Sequence, residues 1–130
     1  MSDNEYVDVL LYSDDSSTRR HVMYSVGRRA AKGQPLIRWD ETATAPAAIE
    51  KVQNGAYALM VLDGEAAKVG GMALGRQLKE EVFDCPPTLI LIGRPEDTWL
   101  ARWSMADGYV NAPYDPLQLQ QAVAALLEEK

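Results

Sequence analysis

Five short apolar runs, each followed by a stretch with helical spacing, constrain this chain more than any other feature. Residues 7–12 read as a strand with several consecutive apolar side chains, as in a sheet covered on both faces. Ser16 or Ser17 can cap a helix running to residue 31, whose inward face is Val22, Met23, Val26 and Ala30. Residues 36–39 give a second, shorter strand, with Trp39 packing at a sheet edge. A helix over 46–54 follows; Ala45, Ala48, Ile49 and Val52 share one side and Gly55 comes after its end. The third strand, 58–62, runs directly into Asp63. Gly70-Gly71 opens a helix to residue 82 that buries Met72, Gly75, Leu78 and Val82. Residues 88–92 are a strongly apolar fourth strand. Asp97 or Thr98 caps a short helix carrying Trp99 and Trp103, and Tyr109-Val110 marks a short fifth strand. Pro116 suits the first turn of a last helix, where its missing N–H costs nothing. That helix turns Leu119, Ala122, Val123 and Leu126 inward.

Strands alternating with helices in this way predict an α/β fold: a doubly wound, five-stranded parallel sheet between two helical layers. Right-handed crossovers with a switch point near the first strand give strand order 2-1-3-4-5. One domain is expected over residues 1–130, with no output domain. In such sheets the ligand crevice lies at the carboxyl ends of the strands around the switch point. Asp14 and Asp15 follow the first strand and Asp63 follows the third, so the topology brings together acids that the sequence holds far apart.

Three carboxylates in one crevice repel: two unit charges ~4 Å apart cost about 4 kcal/mol at an effective dielectric of 20. A hard divalent cation resolves the repulsion, and Mg²⁺ takes one or two carboxylates and leaves its other positions to water or phosphate. A metal so placed would also shield a phosphoryl donor from the charge of a nucleophilic Asp63. The alternative is three unrelated surface acids, since Asp often begins turns and caps helices.

The net charge of −6 argues against nucleic acid as a partner. The pairs Arg19-Arg20 and Arg28-Arg29, spaced along one helix, read as a solvated face. Cys85 is the only cysteine, which excludes an internal disulfide and a cysteine-based zinc cluster. No run approaches the ~20 apolar residues of a membrane span, and the acidic N-terminus shows no signal-peptide pattern. Cytoplasm is the expected compartment, with no membrane insertion.

Laid out in this order, LLYSDD at the first strand end, LMVLDGE at the third, Gly71 eight residues beyond Asp63, and Tyr109 and Pro113 around the fifth strand resemble a response-regulator receiver domain, CheY-like, over nearly the whole chain. The resemblance implies that Asp63 holds the phospho-acceptor position. It implies that Asp15, Asp63 and the backbone carbonyl of Glu65 ligate Mg²⁺, with Asp14 acting directly or through water, and that the fold does not require the metal. Tyr109 falls at the position of the aromatic switch. Trp99, Trp103 and Tyr109 fall near the surface that receivers commonly present to partners.

The chain departs from the family at two positions. Ile92 stands where a Thr or Ser bonds the phosphoryl oxygen, and Ala112 stands where a Lys pairs with its charge. Between them the chain is about two residues shorter than usual. Ile92 donates no hydrogen bond and Ala112 carries no charge. Arg94, two positions after Ile92, is expected to pair with Glu65 at the pocket mouth or to supply the charge that Ala112 lacks; Lys68 is a weaker substitute. His21, with no nucleophile motif beside it, is not expected to be catalytic.

The resulting expectation is an atypical single-domain response regulator: a signalling or adaptor module, not an enzyme, acting through protein contacts. Phosphorylation at Asp63 would be weak, absent or uncoupled from switching. Its partners would be a histidine kinase or another signalling or metabolic protein, with the chain itself a monomer or weak homodimer. A conventional Mg²⁺-dependent phospho-accepting regulator is the alternative. A small metal-dependent phosphohydrolase or nucleotide-binding protein is the third reading, although the chain lacks GxxxxGK[ST], GxGxxG and a second acid of a DxD motif after Asp63.

Overall fold

The computed structural model describes residues 5–66 and 69–128. Its elements run in the order β1 (Tyr6–Tyr12), α1 (Ser16–Val26), β2 (Leu36–Thr42), α2 (Ala45–Asn54), β3 (Leu59–Asp63), α3 (Gly71–Glu81), β4 (Thr88–Ile92), α4 (Thr98–Trp103), β5 (Gly108–Asn111) and α5 (Pro116–Glu128). A single 3-10 turn, Pro95–Asp97, leads into α4. All four strand pairings are parallel and the sheet order is β2-β1-β3-β4-β5, as the sequence predicts.

Side chains alternate across each strand, so the sheet feeds two separate cores. Val9, Leu11, Val61, Leu89 and Leu91 pack with Val22 and Val26 of α1 and Leu119, Val123 and Leu126 of α5. Leu10, Met60, Leu62, Ile90 and Ile92 pack on the other face with Ala48 and Val52 of α2, Leu74 and Leu78 of α3 and Ala101 of α4. Every residue of β3 and β4 is buried. That explains why those two strands read as unbroken apolar runs rather than as alternating ones.

Several boundaries differ from the sequence reading, each for a local reason. α1 ends at Val26 because the chain turns at Gly27, whose φ of 77° favours glycine. Its N-cap is Asp15 rather than Ser16 or Ser17. β2 extends to Thr42 because its ladder with β1 continues to the pair Tyr12–Thr42. Trp39 lies on this edge strand, its indole N–H donating to the Gly27 carbonyl at 2.9 Å.

Candidate functional site

The carboxyl ends of β1 and β3 meet at a buried acid. Asp63 closes β3 opposite Leu91 of β4 and is only 4% exposed. Both of its oxygens accept hydrogen bonds from the protein. Ser13 Oγ donates to Oδ2 at 2.7 Å and the Glu65 N–H donates to Oδ1 at 2.8 Å. One bond to each oxygen fixes the orientation of this carboxyl group.

Ser13 is the residue that meets Asp63 from β1. It is fully buried and extends the sheet by one more bond, N–H to the Thr42 carbonyl at 3.1 Å. Its own carbonyl accepts from Arg19 Nη1 at 2.6 Å, and Arg19 Nε reaches Glu41 at 2.9 Å. α3 comes in against the same point. A Cβ on Gly71 would stand 2.7 Å from the carbonyl carbon and oxygen of Asp63, so this close approach needs glycine.

The two acids of the SDD run part company. The Oδ1 of Asp15 accepts from the Ser17 N–H at 2.8 Å and so caps α1. Asp14 is exposed and lines an opening of about 540 Å³ with Tyr12, Thr44, Pro46 and Val69. The Tyr12 hydroxyl donates to the Val69 carbonyl at 2.6 Å. Burial, and then the charges of Asp14 and Asp63, push the Tyr12 phenol up. Asp14 and Asp63 therefore act on one side chain, whereas Asp15 serves the helix.

Among the described residues no group of three or more His, Cys, Asp or Glu side chains could hold a metal ion. Asp14, Asp63 and the Glu65 carbonyl are oxygen donors of the kind Mg²⁺ takes, with water completing its shell. Asp15, also expected as a ligand, has its Oδ1 engaged by the Ser17 N–H at 2.8 Å.

The two departures sit beside Asp63. Ile92 ends β4 and is fully buried on the face shared with Leu62 and Ala101. Ala112 follows β5, and its N–H donates to the Ile92 carbonyl at 2.7 Å. No hydroxyl or ammonium stands at either position.

The pair expected at the pocket mouth is corrected. Arg94 binds Asp97 through Nε at 3.0 Å and Nη2 at 3.3 Å, and its side chain is 65% exposed. The Asp97 hydrogen bond, then the Asp97, Glu96 and Glu65 charges, push the guanidinium up. Glu65 folds the other way. Its Oε2 accepts the Gly93 N–H at 3.3 Å, and a Cβ on Gly93 would stand 2.6 Å from its carboxyl carbon. Lys68 lies outside the described residues.

Further along the sheet, Trp99 is 66% exposed and Tyr109 48%. They line one groove of about 560 Å³ with Thr98, Arg102 and Gly108. Trp103 does not line it. Arg76 of α3 stacks over the Trp103 ring at 4.9 Å and donates to its carbonyl at 2.6 Å, tying this side chain to α3.

No family model matches the chain. Response regulatory protein Rv3143 of Mycobacterium tuberculosis strain H37Rv is 45% identical over 119 residues, covering 92% of this chain and 90% of that protein. Its counterpart MT3230 in strain CDC 1551 matches to the same extent. The chain belongs to the response-regulator family and is a receiver domain. Solved receivers share its fold at low identity. The Francisella response regulator 1452 receiver domain superposes with a TM-score of 0.76 at 19% identity, over 94% of this chain and 97% of that one. The NtrX receiver of Brucella abortus gives 0.76 at 19%, over 95% and 100%. Thermotoga maritima TrrA, solved in complex with Mg²⁺ and BeF, gives 0.75 at 21%, over 92% and 98%.

One residue of this receiver's site escapes the sequence reading. Ser13 hides because a lone serine after an apolar strand looks like the start of a turn, and the two acids after it attract the assignment. Strand parity is the signal that could have found it, since Val9, Leu11 and Ser13 follow one another at every second position. Tyr114 follows Pro113 in the loop between β5 and α5. It is half-buried, packs against the core between the sheet and α1 and α5, and its carbonyl binds His21 Nε2 at 2.7 Å. Burial, and then the charges of Asp63 and Glu65, push its phenol up to about 12.

Proposed function

We propose that this receiver is an atypical response regulator that signals through protein contacts, with phosphorylation at Asp63 weak, absent or uncoupled from a change of shape. The observation that carries the reading is the pair Ile92 and Ala112 at the ends of β4 and β5, joined by the 2.7 Å bond between Ala112 N–H and the Ile92 carbonyl. A shift between two states needs a group that interacts differently with each. An isoleucine and an alanine offer a phosphoryl group neither a hydrogen bond nor a charge, and a charged hydrogen bond is worth about 1.5–3 kcal/mol. Asp14, Asp63 and the Glu65 carbonyl are the groups that would hold Mg²⁺. The cation would screen the negative charge of an incoming phosphoryl donor. Partners would be a histidine kinase or another signalling or metabolic protein, met through the groove lined by Trp99 and Tyr109.

Incubation with acetyl phosphate and Mg²⁺, followed by intact-mass measurement and size-exclusion chromatography, tests this directly. A low or short-lived phosphoryl adduct, with an elution volume unchanged by treatment, is the expected result. Stable, near-complete phosphorylation with a clear hydrodynamic change would return the chain to the conventional class.

A further inference from the structure

Charge is unevenly spread along this acidic chain. Residues 16–39 hold Arg19, Arg20, Arg28, Arg29, Lys32 and Arg38 and not one of the 19 acids. Arg19 pairs with Glu41 and Arg38 with Asp8, whereas Arg20 and Arg28 have no ion-pair partner among the described residues. These two arginines, both exposed, rim an opening of about 470 Å³ between α1 and the edge strand β2, lined also by Met23, Tyr24, Gly27 and Trp39. Met23 and Trp39 pack against the core, and the Trp39 indole is tied to the Gly27 carbonyl, so the floor is apolar and preformed. Tyr24 stands 83% exposed beside it.

The opposite character appears after α3. Phe83 is 98% exposed, so its own chain does not cover it. The residues around it are anchored. The Val82 N–H closes the last turn of α3 on the Leu78 carbonyl at 2.9 Å, Val82 and Cys85 pack against the core on that face, and Lys79 Nζ reaches the Pro86 carbonyl at 3.3 Å. Asp84 turns the chain at φ 57°, in the left-handed region that Asp enters more readily than most residues. Glu81 and Asp84, on either side of Val82-Phe83, are exposed, and neither has an ion-pair partner among the described residues. The tip is one aromatic ring between two acids.

We propose that the Phe83 tip of one copy seats in the Arg20–Arg28 groove of a second copy of this chain, so that the receiver self-associates head to tail. The two surfaces are complementary. An apolar opening rimmed by two arginines without ion pairs takes a ring flanked by two acids without ion pairs. The net charge of −6 makes copies repel elsewhere, and this basic groove is where an acidic tip of the same chain is attracted. Arg and Tyr, which stand on the groove's rim, are residue types enriched at interaction hot spots. Knob and groove are different surfaces, so each contact leaves a free knob on one copy and a free groove on the other, and association continues past the dimer. One ring in one groove buries less than the ~1,200 Å² of a standard interface, so the contact is weak. It uses no residue of the Asp63 site.

Sedimentation equilibrium on the full chain, from micromolar to millimolar concentration, tests this against Phe83→Ser and the double variant Arg20→Glu/Arg28→Glu. All three positions are exposed, where substitutions cost little stability. The average mass of the wild type should rise above the monomer with concentration and fall back with added salt. Each variant alone should associate about tenfold more weakly or less. Mixed in equal amounts, the two variants should form a one-to-one complex that grows no further, because one supplies the groove and the other the knob. That recovery also shows that both are folded. A wild type that stays monomeric throughout would overturn the proposal. So would variants that associate as well as the wild type, or a mixture that stays monomeric at concentrations where the wild type associates.

Discussion

The chemistry of this receiver turns on a one-residue offset. Ser13, not either aspartate, makes the buried bond to Asp63, at 2.7 Å. Asp14 is exposed at the crevice and Asp15 caps α1. The two acids are adjacent in sequence and stand in different surroundings. Substituting each with asparagine separates them. Asparagine is as good an N-cap as aspartate, so Asp15→Asn should keep both its melting temperature and its Mg²⁺ affinity. Asp14→Asn removes one of two carboxylates and should lower Mg²⁺ affinity about tenfold or more, read by titration calorimetry. Equal losses in the two variants would make Asp15 a metal ligand alongside Asp14.

At the scale of elements, α3 is fixed by one glycine. A methyl group on residue 71 would overlap the Asp63 backbone at 2.7 Å, and no flexible side chain is available there to give way. Gly71→Ala should therefore destabilise the receiver by about 1–3 kcal/mol, the cost typical of overpacking. The measurement is urea unfolding, and an unchanged midpoint would mean that α3 does not bear on Asp63. The sequence made this element and its glycine legible, because apolar spacing and a helix-opening Gly-Gly are local signals. The five strands and their order were legible for the same reason. What depended on side-chain direction was not. The Arg94–Glu65 pair looked natural by position, yet Asp97 lies three residues from Arg94 and takes its guanidinium at 3.0 and 3.3 Å. Trp99 and Trp103 looked like one face by spacing. Arg76 draws Trp103 to α3 and leaves Trp99 with Tyr109 on the open groove.

Across the whole molecule, Asp63 at the end of β3 and the groove lined by Trp99 and Tyr109 lie on either side of β4, which ends in Ile92 with no hydroxyl there. Asp63 is buried and bonded on both oxygens, while Tyr109 stands 48% exposed on the far side of Ile92. In a coupled receiver, occupancy at Asp63 would reach Tyr109, α4 and α5 together. Here it should stop at the loops around the acid. Backbone amide spectra recorded with and without Mg²⁺ and beryllofluoride test that most directly. The account predicts shifts confined to residues 13–15, 63–65, 93–94 and 112–114, with Tyr109, Trp99 and the amides of α4 and α5 unmoved. Shifts spreading through β5, α4 and α5, with Tyr109 turning inward, would contradict it.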